Sequence, residues 1–110
     1  MNTENAETVK VTSARKTCES CPAQWEGITD DGREVYAHYR WGQLTVYVMP
    51  EPGLEMDYSI NSCIYERQLG GNYDGKLTYQ QLQAATKGVL EWPPTDLQRA
   101  TLHNTIDLNI

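Results

Sequence analysis

The chain has no phenylalanine, two histidines, three cysteines and no apolar run near the roughly 20 residues that span a bilayer. Each shortage closes something off. Without Phe, the large rings of the core must come from seven Tyr and three Trp, whose hydroxyl and indole N–H groups need hydrogen-bond partners when buried. Several rings should therefore sit at the core margin. Three cysteines cannot form a complete disulfide framework and read instead as thiols or metal ligands of a reducing compartment. Residues Met1 to Asn5 lack the basic and apolar regions of a signal peptide, so a cytoplasmic protein is expected. Neither histidine lies in a short motif with a nucleophile or an acid. There is no Gly-rich phosphate loop, no paired-carboxylate spacing and no Gly-x-Ser-x-Gly turn, and the expectation is a protein that is not an enzyme.

Charge of one sign is also scarce. Fifteen acidic residues against nine basic ones give a formal charge of -6, which disfavours phosphate backbones and anionic lipid and favours basic protein surfaces. Neither a nucleic acid nor a membrane is expected as a partner. The 110 residues suit one domain with one core.

Residues 1–17 are polar, carry no aromatic side chain and show no strong periodicity, and read as a flexible N-terminal arm ahead of a single domain over 18–110. A first strand is expected from Gln24 to Thr29. The turn Asp30-Asp31-Gly32 allows two registers. A two-residue Asp31-Gly32 loop sets Tyr36 opposite Gly27, and a three-residue loop with a bulge at Gly32 sets Trp25 opposite Ala37. From Arg33 to Trp41 the alternation puts Val35, Ala37, Tyr39 and Trp41 on one face and Glu34, Tyr36, His38 and Arg40 on the other. Gly42-Gln43 then suits a type II′ turn into a third strand ending near Met49, with Trp41 opposite Leu44, Tyr39 opposite Val46 and Ala37 opposite Val48.

A fourth strand is expected over Ser62 to Gln68. Thr78-x-x-Gln81 is a capping-box signature, and Tyr79, Leu82, Thr86 and Val89 follow a helical spacing, which predicts a helix from Thr78 to Lys87 stopped by Gly88. Trp92-Pro93-Pro94 breaks the chain, and Thr95-Asp96 offers a cap for a short helix through His103. Ile106 to Ile110 alternates and could add an edge strand, pair across a dimer, or simply fray. The fold class is α+β: an antiparallel meander sheet of four to five strands packed against one main helix, with a short second helix near the C-terminus.

Three groups of residues could carry chemistry. Tyr36, His38, Arg40 and Tyr47 share the strand face opposite the core and form a candidate binding patch. Cys18-Glu19-Ser20-Cys21 is half of a zinc site, which Cys63 with His38 or His103 could complete; apart from zinc, no cofactor is implied. Gly70 to Gln81 is spaced like a calcium loop but has Gly70 and Gln81 where carboxylates are required, and so reads as turn chemistry leading into the helix cap.

Trp25-Glu26-Gly27, followed by Asp31-Gly32-Arg33-x-Val35-Tyr36-x-x-Tyr39-Arg40-Trp41-Gly42, resembles small uncharacterised proteins of bacteriophages and their bacterial hosts. Asp74-Gly75-x-Leu77-Thr78-Tyr79-x-x-Leu82 and Glu91-Trp92-Pro93 fit the same resemblance. It brings no activity and no functional residues. It implies a phage setting, in which a small acidic domain binds and blocks a host or defence protein. The expected function is thus non-enzymatic binding of a protein partner. The alternatives are a zinc-stabilised mini-domain using Cys18, Cys21 and Cys63, and capture of a small nucleotide-like ligand between the rings.

Overall fold

Alternation with a period of two dictates the centre of the molecule. In the computed structural model, which describes residues 8–19, 22–58, 62–71 and 74–98, the strands β1 (Val9–Cys18), β2 (Ala23–Thr29), β3 (Glu34–Arg40), β4 (Gln43–Val48) and β5 (Cys63–Gln68) precede a helix α1 (Tyr79–Ala85) and two short strands, β6 (Leu90–Glu91) and β7 (Leu97–Gln98). The sheet order is β5-β4-β3-β2-β1-β6, with β7 also paired to β1. Strands β1 to β5 run antiparallel to their neighbours, while β6 and β7 join β1 in parallel.

The fold is therefore mostly β, a mixed sheet curled into a half-barrel, and not an α+β sheet packed on a main helix. Magnitudes explain the correction. A seven-residue helix is about 10 Å long at 1.5 Å per residue, whereas six strands at about 4.8 Å spacing are about 24 Å across. Its only buried residue is Leu82. The capping box forms as its residues require: Gln81 N–H donates to Thr78 Oγ1 at 3.0 Å, and Thr78 N–H donates to Gln81 Oε1 at 2.8 Å. The helix stops at Ala85 because Thr86 turns inward, where its hydroxyl donates to the Leu82 carbonyl and accepts from the Trp92 indole, both at 2.8 Å. The cover of the inner face thus comes from the short helix with Leu82, from β6 with Leu90, and from the irregular chain on either side with Leu77 and Trp92, which join a core made with Trp25, Ala37, Tyr39, Leu44 and Val46.

Residues Val9 to Thr17 are not an arm, because they belong to the ten-residue strand β1. Register shifts between Val11 and Ser13 and between Lys16 and Cys18 interrupt its pairing with β2. The two buried side chains, Val11 and Ala14, consequently fall three residues apart, and the period that would have announced a strand is lost. Where a second helix was expected, Leu97–Gln98 pairs with Arg15–Lys16. Its remainder to His103, and Ile106 to Ile110, lie outside the described residues.

Of the two registers open at Asp30-Asp31-Gly32, the structure takes the three-residue loop, with Trp25 opposite Ala37 and Gly32 at φ 88°. The next hairpin departs from expectation. Its loop is Trp41-Gly42, both at positive φ (55° and 77°) as a type I′ turn demands, so Tyr39 pairs with Leu44 and Ala37 with Val46. The two-residue shift preserves the faces but expels Trp41 from the core to 65% exposure. A clamp from the following loop favours this turn. Gly42 N–H donates to the Asp74 carbonyl at 2.7 Å, Leu69 and Gly70 N–H donate to the Gly42 carbonyl, and Gln68 Nε2 donates to the Trp41 carbonyl at 2.9 Å. These bonds offset the cost, about 1–2 kcal/mol, of holding a tryptophan in the left-handed region.

A Cβ on Gly42 would overlap the carbonyl oxygens of Gly70 and Gly71, whereas a Cβ on Gly71 would meet nothing within 4 Å. Gly42→Ala should therefore lower unfolding free energy by about 2–4 kcal/mol and Gly71→Ala by less than about 1 kcal/mol. Urea denaturation of both variants checks the contrast.

Candidate functional site

Strand β3 points Val35, Ala37 and Tyr39 into the core and leaves Tyr36 and His38 half-buried and Arg40 exposed on the outer face. Tyr47 of β4, directly opposite Tyr36, is half-buried beside them. Three of the four patch residues meet. The Tyr36 and Tyr47 rings lie 6.3 Å apart, His38 and Tyr47 stack at 6.2 Å with an interplanar angle of 18°, and Tyr36 and His38 lie 5.6 Å apart. Arg40 is drawn instead to the hairpin tip, its guanidinium 4.9 Å from the centre of the Trp41 ring.

A fourth ring completes the cluster. Tyr58, in the connection from β4 to β5, stands edge-on against Tyr36 at 5.0 Å and against Tyr47 at 5.6 Å, and stays 61% exposed. The connection hangs from buried Met49, whose sulfur accepts from the Asp57 N–H at 3.2 Å. Sequence reasoning missed Tyr58 because its segment has no periodicity, and only the return of the chain over the sheet brings it to β3. Gln24 was missed too. Its Nε2 donates to the Tyr36 hydroxyl at 2.5 Å, a pairing that follows once β2 and β3 are in register.

Tyr58 stands as a ridge between two hollows of the outer face. One, of about 340 Å3, is bounded by Gln24, His38, Arg40 and Tyr47. The other, of about 440 Å3, reaches Arg15, Glu26, Glu34 and Met56. Burial, then the neighbouring Tyr58 and Glu26, push the Tyr36 hydroxyl up to about 12, and burial likewise raises Tyr47. At neutral pH both are protonated donors rather than bases.

The remaining candidates are not gathered. Cys18 is on β1 and Cys63 on β5, with β2, β3 and β4 between them, a path of about 19 Å along the sheet at 4.8 Å per strand. Cys63 Sγ lies 3.5 Å from the Tyr65 carbonyl. Cys21 and His103 lie outside the described residues, and among the described residues no three His, Cys, Asp or Glu side chains are placed to share an ion. In the loop compared with a calcium site, Asp74 accepts from the Tyr39 hydroxyl at 2.6 Å, and Gln81 belongs to the helix cap.

His38 is held below its ordinary 6.5, first by burial and then by the Arg40 charge; Tyr36, Tyr47, Gln24 and Thr45 are its other neighbours. With the folded-state pKa depressed, the unfolded chain binds the proton first. Stability contributed by neutral His38 is thus complete above 6.5, falls as the pH drops through that value, and levels off below the folded pKa. Thermal melts at pH 7.5 and 5.0 should show a loss on acidification that is smaller in His38→Gln. Compared with known proteins, this chain matches no family model, no curated protein and no solved structure.

Proposed function

We propose that the chain is a non-enzymatic binding protein whose contact surface is the outer face of the half-barrel, centred on Tyr36, His38, Tyr47 and Tyr58 and flanked by Arg40. One observation carries this reading: four rings from β3, β4 and the following connection converge on the sheet face opposite the core and remain partly exposed. Clustered tyrosines beside an arginine are the composition that dominates protein contact energies, since they present large rigid area with few rotatable bonds. The charge of -6 favours a partner with a basic surface. A phage-encoded modulator of a host or defence protein is a setting consistent with that chemistry.

A second reading is favoured by the smaller hollow, where ring faces, neutral His38 and the Arg40 guanidinium surround about 340 Å3, a volume suited to a small planar ligand with an acidic group. Nucleotides added in a thermal-shift screen should stabilise the protein if that reading holds and leave it unchanged if the partner is a protein.

Tyr58 and Arg40 are exposed, so Tyr58→Ala and Arg40→Ala should each weaken partner capture at least tenfold. Arg40→Ala should move the melting temperature by no more than about 5 °C, equivalent to about 1 kcal/mol in a domain of this size, and Tyr58→Ala, which also gives up ring contacts with Tyr36 and Tyr47 at about 0.5–1.5 kcal/mol each, by no more than about 15 °C. Affinity purification from the native host with wild type and both variants, alongside thermal melts, checks this. Capture that survives both substitutions would move the contact surface elsewhere.

A further inference from the structure

The larger hollow has a chemistry distinct from the rest of the face. Glu26 of β2 and Glu34 of β3 stand on its rim, both exposed, while the ion pairs among the described residues join Lys16 to Glu19 and Arg33 to Asp31. Its walls are Tyr36, Tyr58 and Met56, and Ile28 contributes apolar surface. Among the described residues, Arg15 is the one cation on the lining. It is the cross-strand neighbour of Glu26, yet it forms an ion pair with neither glutamate, and the described lining carries one excess negative charge. Across the Tyr58 ridge the charged lining among the described residues is Arg40, beside His38. The face therefore changes sign over one side chain.

Resting on the outer face as contact surface, we propose that this hollow takes an arginine side chain of the protein partner. The guanidinium lies against the rings of Tyr36 and Tyr58 within reach of the Glu26 and Glu34 carboxylates, and the aliphatic stem runs along Met56 and Ile28. Arginine fits better than lysine because a planar, weakly hydrated guanidinium both stacks on aromatic faces and pairs with two carboxylates through separate N–H groups, whereas an ammonium is a compact, strongly hydrated point charge. An acidic partner group is repelled here and attracted across the ridge by Arg40. The sign change thus fixes which way round a partner lies.

Met56 supplies a reporter within the hollow. Protein carrying 13C-methyl methionine is titrated with N-acetyl-L-arginine methylamide and, separately, with its neutral near-isostere N-acetyl-L-citrulline methylamide, while the Met56 methyl resonance is followed. The arginine probe should shift that resonance saturably, at millimolar concentrations suited to one side chain, and the citrulline probe should bind at least tenfold more weakly. The Glu26→Gln/Glu34→Gln double variant should lose the preference for arginine, and Arg15→Ala should bind the arginine probe more tightly than wild type. Equal shifts with both probes, no shift with arginine, or an unchanged preference in the double variant would each overturn the assignment. Its failure is separable from failure of the wider reading. Partner capture that depends on Tyr58 and Arg40, without arginine selectivity at Met56, would keep the contact surface and reject the occupant.

Discussion

A core without phenylalanine must find partners for most of the polar tips of its rings, and that requirement organises this protein. Trp25, fully buried on β2, donates its indole N–H to Asp96 at 2.7 Å. Tyr39, on β3, donates to Asp74; Tyr79 donates to the Pro93 carbonyl at 2.6 Å; and Trp92 donates to Thr86. A hydrogen bond of this kind contributes about 1 kcal/mol net, but leaving a buried donor unpaired costs about 1–3 kcal/mol. Every acceptor in this set lies between Asp74 and Asp96. Trp25 and Tyr39 therefore tie the two ends of the segment to the sheet, Tyr79 and Trp92 hold the segment on itself, and the sheet needs no long helix as a second layer.

The same constraint divides the molecule by face. Trp25, Tyr39, Tyr79 and Trp92 face inward and find fixed acceptors, Tyr65 packs against the same core with its buried hydroxyl unpartnered, and Tyr36, Tyr47 and Tyr58 contact one another and keep part of their surface in solvent. Ring pairs contribute about 0.5–1.5 kcal/mol beyond the area they bury. The contacts of Tyr58 with Tyr36 and Tyr47 thus help hold the β4–β5 connection against the outer face, and in doing so raise the ridge that separates an acidic hollow from a basic one. Structure and recognition draw here on the same side chains.

How much of this was legible depended on how regular the local signal was. The alternation from Val35 to Tyr39 and the Asp30-Asp31-Gly32 turn identify the central hairpin and its faces. Thr78 and Gln81 identify the start of the helix. β1 was hidden because two bulges break its period and its buried side chains are only Val11 and Ala14. Trp41 was misplaced because either two-residue loop fits Trp41-Gly42-Gln43, and the choice is made by bonds from residues 68–74, some 30 positions later. The candidate patch was visible as the polar side of β3 and β4, but Tyr58, Met56 and the division into two hollows were not, since no short-range pattern ties residues 56–58 to β3.

Sequence alone determined which faces of the central strands are apolar, that the chain reverses near Gly32 and near Gly42, where the helix cap falls, and that large rings must carry the core, because these follow from periods, glycines and composition within a few residues of one another. Tertiary structure decided the register at Trp41, the inclusion of β1, the brevity of the helix and the convergence of Tyr58 on Tyr36. Each of those rests on hydrogen bonds or ring contacts between segments far apart in the chain, whose strength depends on closure of the whole sheet and not on any local preference.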